Sequence, residues 1–470
     1  MILKTNKLLL NEVIDLLYDV CSEKFVFTDA ESHWKYETDQ TLDYRYPFDI
    51  LVKPGTVEEI SAIVKICNKF KIPLTPRGGG SGVTGGALPL NRGIVISLER
   101  LNKIIAINEI DSFVIAETGV ITADLCHTVE KLGLYFPVLP SSGSYSFVGG
   151  NIAENAGSIN SCKYGNTSKY VLNLEVVLPS GDIIWTGANV TKNVSGLNVT
   201  QLFVGSEGTL GIITKVVYQL IEKPKKDVSL LIGFNSLKNA CLAVSALKRS
   251  VLIPSAVELI CENAIKITAE YLNESLPLIS PHIKAHLLIN FHENNSKAID
   301  DCIDLTSQLI QDLTDEEILV ADSFHLKEKL WKLRFSIGMA LTSENKRYRD
   351  IDLSIPMSAV FDYIMNLELI SAKYKLEFAC FGHVMDGNLH TMLIMDHDLM
   401  SEDQININNA LQDIYSYAVN VGGTISGEHG IGFLQKEFIP LQFSSAHLNL
   451  MRSIKSIMDP NHIMNPGKIL

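Results

Sequence analysis

A run of glycines is the feature that most constrains how this chain can fold. Six of the nine residues over Gly78–Gly86 are glycine, and a loop without Cβ atoms lets backbone N–H groups approach a phosphate closely. The run contains a Gly-x-Gly-x-x-Gly match, which marks a Rossmann unit only when a helix follows it. Here Pro89 and a turn signal follow, and residues 93–98 then have the pattern of a buried strand. We therefore predict a strand, a phosphate-binding loop and a second strand, and we reject an NAD-binding Rossmann unit.

Composition and charge narrow the class of protein. The chain has 470 residues, enough for two or three domains, and its net charge of −13 argues against a broad nucleic-acid surface. The eight cysteines include no Cys-x-x-Cys pair, so we expect neither an iron–sulfur cluster nor a zinc ribbon, and a reduced cytoplasmic setting is the simplest. Residues 8–17 predict an amphipathic helix instead of a signal peptide. No segment has the length and apolar character to span a bilayer.

The pattern of predicted elements changes near Pro224. Residues 57–71 have helical periodicity after a capping Thr56, and short strands alternate with turns up to residue 220. Beyond Pro224, longer helices alternate with strands, which is typical of a separate α+β domain. We predict four segments: an N-terminal helical segment over 1–43, a first domain over 44–224, a second domain over 225–415 and a C-terminal segment over 416–470.

Two histidines are predicted to share one face of a β-hairpin. Residues 378–384 and 388–395 have strand patterns, and the dipeptide Asp-Gly at 386–387 is a strong signal for a two-residue turn. With that turn, His383 lies directly opposite His390, and their Cβ atoms are ~5 Å apart. This geometry suits two imidazole ligands on one divalent ion. The alternative is a cross-strand histidine pair without a metal, satisfied by backbone and water.

Glu428, in the glycine-rich turn 426–432, is the natural candidate for a third ligand. Two histidines and one carboxylate leave positions open for substrate oxygen, so such a site is catalytic, and it suits manganese, zinc or iron. His429 follows directly, and on an extended segment its side chain points away from that of Glu428. An imidazole titrates near neutral pH and suits removal of an alcohol proton. A supporting role in the core is the alternative for His429.

Six segments together resemble a known family. The first three resemble the FAD-binding domain of the vanillyl-alcohol-oxidase type, also called PCMH-type. The last three resemble the C-terminal domain of FAD-linked 2-hydroxyacid dehydrogenases, so that the similarity covers roughly residues 45–470. The segments are Pro76–Pro89, Gly149–Gly157, Gly205–Gly211, Gly382–His390, Ser426–Gly432 and Asp459–Lys468.

The resemblance implies an α+β fold with FAD between two α+β subdomains. It adds an α+β substrate domain with an antiparallel sheet, and a C-terminal segment that returns to the flavin. FAD is expected to be non-covalent, because the first loop lacks the histidine that attaches it in some relatives. Arg77 is either a phosphate ligand or a solvated loop charge. The implied cofactor-binding residues are Arg77, Gly78, Gly79, Gly80, Ser81, Gly82, Thr84, Gly85, Ser142, Gly149, Gly150, Asn151, Ala153, Asn155, Gly157, Gly208, Ile213 and Asn465.

The resemblance also implies a dehydrogenase of D-2-hydroxy acids. D-lactate, D-2-hydroxyglutarate and glycolate are all compatible substrates. In the family the two histidines and the glutamate bind zinc or a similar ion, which makes His383, His390 and Glu428 the implied metal ligands; zinc or manganese is our expectation. The histidine of the same turn is the catalytic base, which here is His429.

Basic residues are candidates for binding the substrate carboxylate. Arg334 resembles the family arginine that pairs with it, and a guanidinium gives two parallel hydrogen bonds to such a group. The alternative for Arg334 is a surface position on a helix. The cluster at 346–349 either contacts a second carboxylate, as a dicarboxylate substrate would need, or forms a solvated face.

Two other functions stay open at this point. One is an oxidase that passes electrons to dioxygen, and the other is a non-catalytic FAD-binding subunit of an electron-transfer complex. The electron acceptor of a dehydrogenase would be a quinone, a cytochrome or an electron-transfer flavoprotein. We expect no nucleic-acid partner. The oligomeric state is open, and a homodimer is one option. We expect a cytoplasmic protein, with a peripheral position at the inner membrane as the alternative.

Overall fold

A computed structural model describes residues 7–41, 44–273, 282–342, 347–395 and 401–470. The chain forms two compact units. The first comprises Met1–Ser158, Asn166–Lys223 and His429–Leu470, and the second comprises Ile159–Gly165 and Pro224–Glu428. The predicted contact through the cluster 346–349 falls partly outside the described residues, because Lys346 is not among them. The four segment boundaries predicted from the sequence stay a prediction.

Strands and helices alternate through both units. In chain order the strands of the described residues are β1 (Val26–Phe27), β2 (Ile50–Val52), β3 (Leu74–Arg77), β4 (Ile94–Ser97), β5 (Ile104–Asn108), β6 (Phe113–Glu117), β7 (Leu134–Tyr135), β8 (Val171–Val177), β9 (Ile183–Trp185), β10 (Ile212–Gln219), β11 (Ile221–Glu222), β12 (Lys226–Phe234), β13 (Ala256–Cys261), β14 (Ala285–Glu293), β15 (Leu319–Ala321), β16 (Arg347–Ser354), β17 (Glu377–His383) and β18 (Asn388–Met395). The α-helices are Lys7–Cys21, Ala30–His33, Val57–Phe70, Thr122–Glu130, Val148–Glu154, Ser161–Tyr164, Val199–Phe203, Leu237–Arg249, Glu262–Leu272, Ser296–Ile310, Phe324–Phe335, Ile337–Thr342, Val360–Tyr374, Ser401–Asn420, Ile439–Gln442 and Ser445–Met458.

The glycine run joins two parallel strands of a four-stranded sheet in the first unit. The order of this sheet is β1-β2-β4-β3, and β3 leads directly into the glycines. The helix Val57–Phe70 begins at Thr56, whose side chain accepts the N–H of Glu59 at 3.2 Å, and it buries Ile60 and Ile63 in the core of this sheet. A strand therefore follows the glycines, as predicted, and the Rossmann interpretation is excluded.

A second sheet of the first unit is antiparallel, in the order β5-β6-β10-β8-β9. We predicted the glycine-rich segment 149–157 as part of the cofactor site and assigned it no secondary structure. In the structure its first residues belong to the helix Val148–Glu154. Close packing explains why glycine is needed there, since a Cβ on Gly149 would lie 2.5 Å from Cβ of Thr118. The helix ends at Asn155, whose φ of 55° is left-handed. The first unit therefore contains two separate sheets, in agreement with the two α+β subdomains that the resemblance implies.

The C-terminal segment adds to the first sheet. The N–H of Leu74 donates to the carbonyl of Ile463, and the N–H of Asn465 donates to the carbonyl of Leu74, both at 2.8 Å. These bonds place the residues around Asn465 beside β3, the strand that enters the glycine run. Among the described residues, no helix combines the length and apolar character that crossing a membrane requires.

The second unit is built on one seven-stranded antiparallel sheet. Its order is β15-β12-β14-β13-β17-β18-β16, and every neighbouring pair is antiparallel. Apolar side chains from β13, β14, β17 and β18 pack with helical residues such as Trp331 and Ile265 on one face. The predicted antiparallel α+β domain is confirmed, and the three strands β13, β17 and β18 carry the polar residues considered next.

Candidate active site

The register of the hairpin differs from the predicted one. In the pairing of β17 with β18, His383 lies opposite Asn388, and His390 lies opposite Phe381. The predicted two-residue turn at 386–387 and the direct pairing of His383 with His390 are therefore wrong. The shift amounts to two residues, and side chains two apart lie on the same face of a strand. Both imidazoles consequently still share a face, with ring centroids 5.5 Å apart.

The turn itself spans 384–387, and its neighbours explain the extra length. The N–H of Val384 donates to the carbonyl of Val257 at 3.1 Å, so the first strand of the hairpin stays engaged with β13 beyond His383. Gly387 closes the turn with a φ of 75°, and its carbonyl accepts the N–H of Ile355 at 3.0 Å. Hydrogen bonds to neighbouring segments have thus overridden the local two-residue turn preference.

Glu428 completes a compact group with the two histidines. Its Oε1 lies 3.3 Å from Nε2 of His383 and 3.4 Å from Nε2 of His390. The three ligand atoms lie within 4.8 Å of one another, and both histidines are buried. The structure therefore brings together the three residues that we predicted as metal ligands. Whether an ion binds there stays a prediction.

Arg334 and Glu258 support the first of these histidines. Glu258 has no exposed surface; it contacts Nδ1 of His383 and accepts a hydrogen bond from Nε of Arg334 at 2.6 Å. The Arg334 side chain is buried and lies over the ring of Phe381. The alternative of a surface arginine is therefore wrong. A carboxylate on Nδ1 leaves Nε2 of His383 directed toward Glu428, which is the arrangement that a metal-binding histidine needs.

Asp352 holds the loop that carries Glu428. This buried carboxylate accepts the N–H groups of Gly427 and Glu428 at 3.0 and 2.8 Å and the hydroxyl of Ser426 at 3.2 Å. It also accepts Nδ2 of Asn388, at the start of β18, at 2.7 Å. One side chain therefore ties the glutamate loop to the hairpin that carries the histidines.

The electrostatics of this group suit a cation. Burial alone would raise the pKa of Glu258, but the charges of His383 and Arg334 outweigh it and lower this pKa to about 2. Burial alone would lower the pKa of His383, but Glu258 and Glu428 outweigh it and raise this pKa to about 9. For Glu428, the two histidines overcome the effect of burial and hold the pKa well below its usual value. Closely spaced, deprotonated carboxylates favour positive charge between them, and two imidazole nitrogens with one carboxylate are a ligand set that divalent zinc, manganese or iron accepts.

His429 belongs to the first unit, although it follows Glu428 in the chain. Its carbonyl accepts the hydroxyl of Thr84, a residue of the glycine run, at 3.1 Å. The side chain is half-buried. Its role as a base stays a prediction.

The glycine run has the shape that a pyrophosphate cradle requires. A Cβ on Gly79 would overlap the carbonyl oxygen of Tyr145, so the loop lies directly on the segment that enters the helix Val148–Glu154. By contrast, a Cβ on Gly82 or on Gly150 would meet no heavy atom within 4 Å. The two backbone stretches therefore pack closely at one point and leave open space beside two other glycines, which fits FAD.

Two predicted cofactor residues are fixed by the protein itself. Arg77 is buried, and its guanidinium donates to the carbonyls of Lys35 and Tyr36 at 3.2 and 3.4 Å, so the alternative of a solvated charge is wrong. Asn465 donates from Nδ2 to the carbonyls of Gly86 and Glu207 at 3.0 and 2.8 Å. It thereby joins the end of the glycine run to the segment 205–211. A direct contact of either residue with FAD stays a prediction.

The remaining predicted cofactor residues lie in the same unit. Nδ2 of Asn151 donates to Thr122, and Oδ1 of Asn155 accepts the N–H of Ser168. A Cβ on Gly208 would lie 2.8 Å from Cγ of Pro76. The first unit thus contains all of the predicted set: Gly78, Gly80, Ser81, Thr84, Gly85, Ser142, Gly149, Ala153, Gly157 and Ile213 in addition to those just described.

Sequence reasoning missed Glu258, Asp352 and Glu207. Glu258 interrupts the otherwise apolar strand Ala256–Cys261, and a lone carboxylate in a buried strand is a signal that could have identified it. Asp352 lies between the buried residues Ile351 and Leu353, but the other polar residues of β16 make its signal weaker. Glu207 sits in a glycine-rich segment and has a φ of 49°, which is unusual for a residue with a side chain.

Comparison with known proteins identifies the domains. A model of the FAD binding domain matches residues 48–187, and a model of the C-terminal domain of FAD linked oxidases matches residues 223–469. The chain is 34% identical over 424 residues to D-lactate dehydrogenase of Anaerostipes hadrus, covering 90% of this chain and 89% of the relative. It is 33% identical over 435 residues to glycolate oxidase subunit GlcD of Bacillus subtilis, covering 92% and 91%. It is 29% identical over 461 residues to D-2-hydroxyglutarate dehydrogenase of Stutzerimonas stutzeri, covering 97% and 98%.

Solved structures agree on the fold. The chain superimposes on p-cresol methylhydroxylase with a TM-score of 0.79 at 18% identity, covering 99% of this chain and 97% of that one. For 4-ethylphenol oxidase of Gulosibacter chungangensis the TM-score is 0.78 at 17% identity, covering 99% and 97%. At such identities the likeness concerns the fold alone. The two family matches and the extended similarity to these relatives show that this chain belongs to the FAD-linked oxidases and is an FAD-linked oxidoreductase.

Proposed function

We propose that this protein oxidises a D-2-hydroxy acid to the 2-oxo acid, with FAD as hydride acceptor and a divalent metal ion as Lewis acid. The observation that carries the proposal is the convergence of His383, His390 and Glu428 in a member of the FAD-linked oxidases. Two imidazoles and one carboxylate leave coordination positions for the hydroxyl and one carboxylate oxygen of a substrate. The redox chemistry would come from bound FAD, and the metal would lower the pKa of the hydroxyl.

The chain's own residues would position the substrate and move one proton. His429 would accept the hydroxyl proton, since an unprotonated imidazole nitrogen can act as a general base. Arg334 would orient the substrate carboxylate, and its rigid contacts with Glu258 and Phe381 support this role because they hold the guanidinium in one place. The glycine run, the segment 149–157 and Asn465 would hold FAD without a covalent bond.

The names of the relatives support a proposal for the substrate class. They are named for D-lactate, glycolate and D-2-hydroxyglutarate, three compounds that share a hydroxyl next to a carboxylate. We propose this group as the substrate class here. An external acceptor, either a quinone, a cytochrome or an electron-transfer flavoprotein, would reoxidise the flavin of a cytoplasmic or membrane-peripheral enzyme.

Anaerobic flavin reduction tests the proposal. Purified protein with bound FAD and metal is mixed with D-lactate, D-2-hydroxyglutarate or glycolate, and loss of the oxidised flavin absorbance is followed. His429→Ala should abolish this bleaching while FAD remains bound, and His127→Ala, at an exposed helix position of the same unit, should bleach like the unaltered protein. Normal bleaching by His429→Ala would refute the base assignment. No bleaching by the unaltered protein with any of the three acids would favour a non-catalytic subunit, and rapid reoxidation in air would favour an oxidase.

A further inference from the structure

The loop that begins at His429 is held from one side by the glycine run. The hydroxyl of Thr84 donates to the carbonyl of His429 at 3.1 Å. The carbonyl of Thr84 accepts the N–H groups of Phe433 and Leu434 at 3.1 and 3.3 Å. Thr84 therefore fixes both ends of the stretch 429–434 but makes none of these bonds to its middle.

The middle of the same loop is bound by a single carboxylate. Glu207 accepts the N–H of Ile431 on Oε1 and the N–H of Gly432 on Oε2, each at 2.7 Å. The Glu207 side chain is buried. A carboxylate that accepts two backbone N–H groups forms charge-assisted hydrogen bonds, which are about twice as strong as neutral ones. This pair of bonds fixes both the position and the direction of the loop just after His429.

Glu207 is itself held rigidly. Its N–H donates to the carbonyl of Ala153 at 2.8 Å, and its own carbonyl accepts Nδ2 of Asn465 at 2.8 Å. Its backbone has a φ of 49°, a conformation that costs free energy and persists only where surrounding contacts enforce it. The backbone that carries this carboxylate is therefore fixed on two sides, by Ala153 and by Asn465, which both belong to the proposed cofactor site.

A second carboxyl group, that of Glu154, lies beside Glu207. A Cβ built on Gly430 would overlap Oε2 of Glu154 and lie 3.0 Å from Oε1 of Glu207, so both carboxyl groups approach the same point of the loop. Oε2 of Glu154 is shielded from solvent and has no hydrogen-bond partner among the described residues. Two adjacent carboxylates cannot both ionise cheaply in such a place. Since Glu207 already accepts two N–H groups, the proton of the pair belongs on Glu154.

The pKa values of the neighbouring groups agree with that assignment. Burial, followed by the charge of Glu207, raises the pKa of Glu154 well above its usual value. Burial raises the pKa of Glu207 only to about 6, because the N–H groups of Ile431 and Gly432 oppose it. The buried ammonium of Lys468 also acts on both carboxyl groups. The directions of both pKa values therefore favour a proton on Glu154 and a charge on Glu207.

We propose that Glu207 is the positioning residue for His429, and that neutral Glu154 beside it keeps Glu207 ionised and bound to the loop. The inference depends on the proposed function, in which His429 is the base. It assigns the two glutamates different tasks: the charge of Glu207 is essential, whereas that of Glu154 is not. Glutamine keeps the size of each side chain and removes only the ability to ionise, so it separates the two tasks.

Amide hydrogen exchange on the FAD-bound protein tests the positioning directly. In the unaltered protein the amides of Ile431 and Gly432 should be protected. In Glu207→Gln the side-chain amide can accept only one N–H and opposes the other, so exchange should become roughly 10- to 100-fold faster, as expected for loss of a hydrogen bond to a charged group. In Glu154→Gln both amides should stay protected. Glu175→Gln is the matched control, because Glu175 is a buried carboxylate of the same unit bonded to Thr214 and Lys215 instead of this loop.

Turnover gives the second readout. Glu207→Gln should lower kcat with little change in KM and retain FAD, Glu207→Asp should recover part of kcat, and Glu154→Gln should lower kcat much less than Glu207→Gln. Unprotected amides at Ile431 and Gly432 in the unaltered protein would overturn the inference even if Glu207→Gln did not fold. Equal damage by Glu154→Gln and Glu207→Gln, or unchanged exchange in Glu207→Gln, would also overturn it. If His429→Ala remains active, the proposed function fails instead, whatever the exchange data show.

Discussion

Replacing Glu258 by glutamine should weaken metal binding although Glu258 is not a ligand. Its carboxylate is fully buried, contacts Nδ1 of His383 and accepts Nε of Arg334 at 2.6 Å. It therefore fixes the imidazole with Nε2 toward Glu428 and increases the basicity of that nitrogen. Loss of such a partner costs about 10- to 100-fold in metal affinity, which corresponds to about 1.4 to 2.7 kcal/mol.

The same substitution should destabilise the metal-free protein. Glutamine leaves the buried guanidinium of Arg334 without its counter-charge, and breaking a buried ion pair in this way costs about 3–5 kcal/mol. The sign with pH follows from the pKa of Glu258, which is lowered from 4.5 to about 2. Its stabilising contribution is fully present above pH 4.5 and is lost as pH falls toward 2, so the stability difference between the two proteins should shrink on acidification.

The assay for Glu258→Gln is a competition titration with a chelator, using zinc or manganese, at neutral pH. Glu377→Gln, at the exposed start of the strand that carries His383, is the control and should bind metal like the unaltered protein. Melting temperatures with and without metal separate the two effects, because weaker metal binding reduces the increase that metal produces. A folded Glu258→Gln protein with unchanged metal affinity would refute the argument that Glu258 prepares His383 for the metal.

Two further predictions concern the same group. Metal affinity should rise as pH increases from 6.5 to 9, because the pKa of His383 in the metal-free protein is raised from 6.5 to about 9 and metal binding must displace its proton. Isothermal titration calorimetry in buffers of different ionisation enthalpy would detect the released proton. Binding that does not depend on pH and releases no proton would contradict this prediction. Asp352→Asn should weaken metal binding by roughly tenfold, because Oδ2 of Asp352 accepts the N–H groups of Gly427 and Glu428 while Oδ1 accepts Nδ2 of Asn388, and an amide can accept on only one of these two sides; a metal titration equal to that of the unaltered protein would contradict this role for Asp352.

Local signals in the sequence predict much of the fold. The strand after the glycines follows from Pro89 and the apolar segment 93–98, and the helix Val57–Phe70 follows from its periodicity and the Thr56 cap. Turn, cap and periodicity signals involve only residues close together in the chain, and those residues largely determine where a strand or helix begins and ends. The α+β character of the second unit likewise follows from its pattern of helices and strands, whereas its antiparallel sheet was expected from the family resemblance.

Contacts between distant segments decide what the sequence could not predict. The hairpin of His383 and His390 adopts a four-residue turn because β13, more than a hundred residues earlier, binds Val384. The two histidines nevertheless stay on one face, since a shift by two residues preserves the side-chain direction. Glu258 and Asp352 were missed for the same reason: their partners lie 125 and 76 residues away. Strand periodicity was thus sufficient to predict that His383 and His390 share a face. It was not sufficient to predict the register of their hairpin or the supporting carboxylates of Glu258 and Asp352.

Removal and return of the metal tests the central claim most directly. Protein with bound FAD is treated with a chelator, freed of it, and mixed anaerobically with the D-2-hydroxy acid that bleaches the untreated protein. We expect no rapid bleaching of the metal-free protein, and recovery on addition of zinc or manganese in the unaltered chain but not in His390→Ala. Full-rate bleaching by protein shown to contain FAD and no metal would contradict the account, because the group of His383, His390 and Glu428 would then have no part in the reaction.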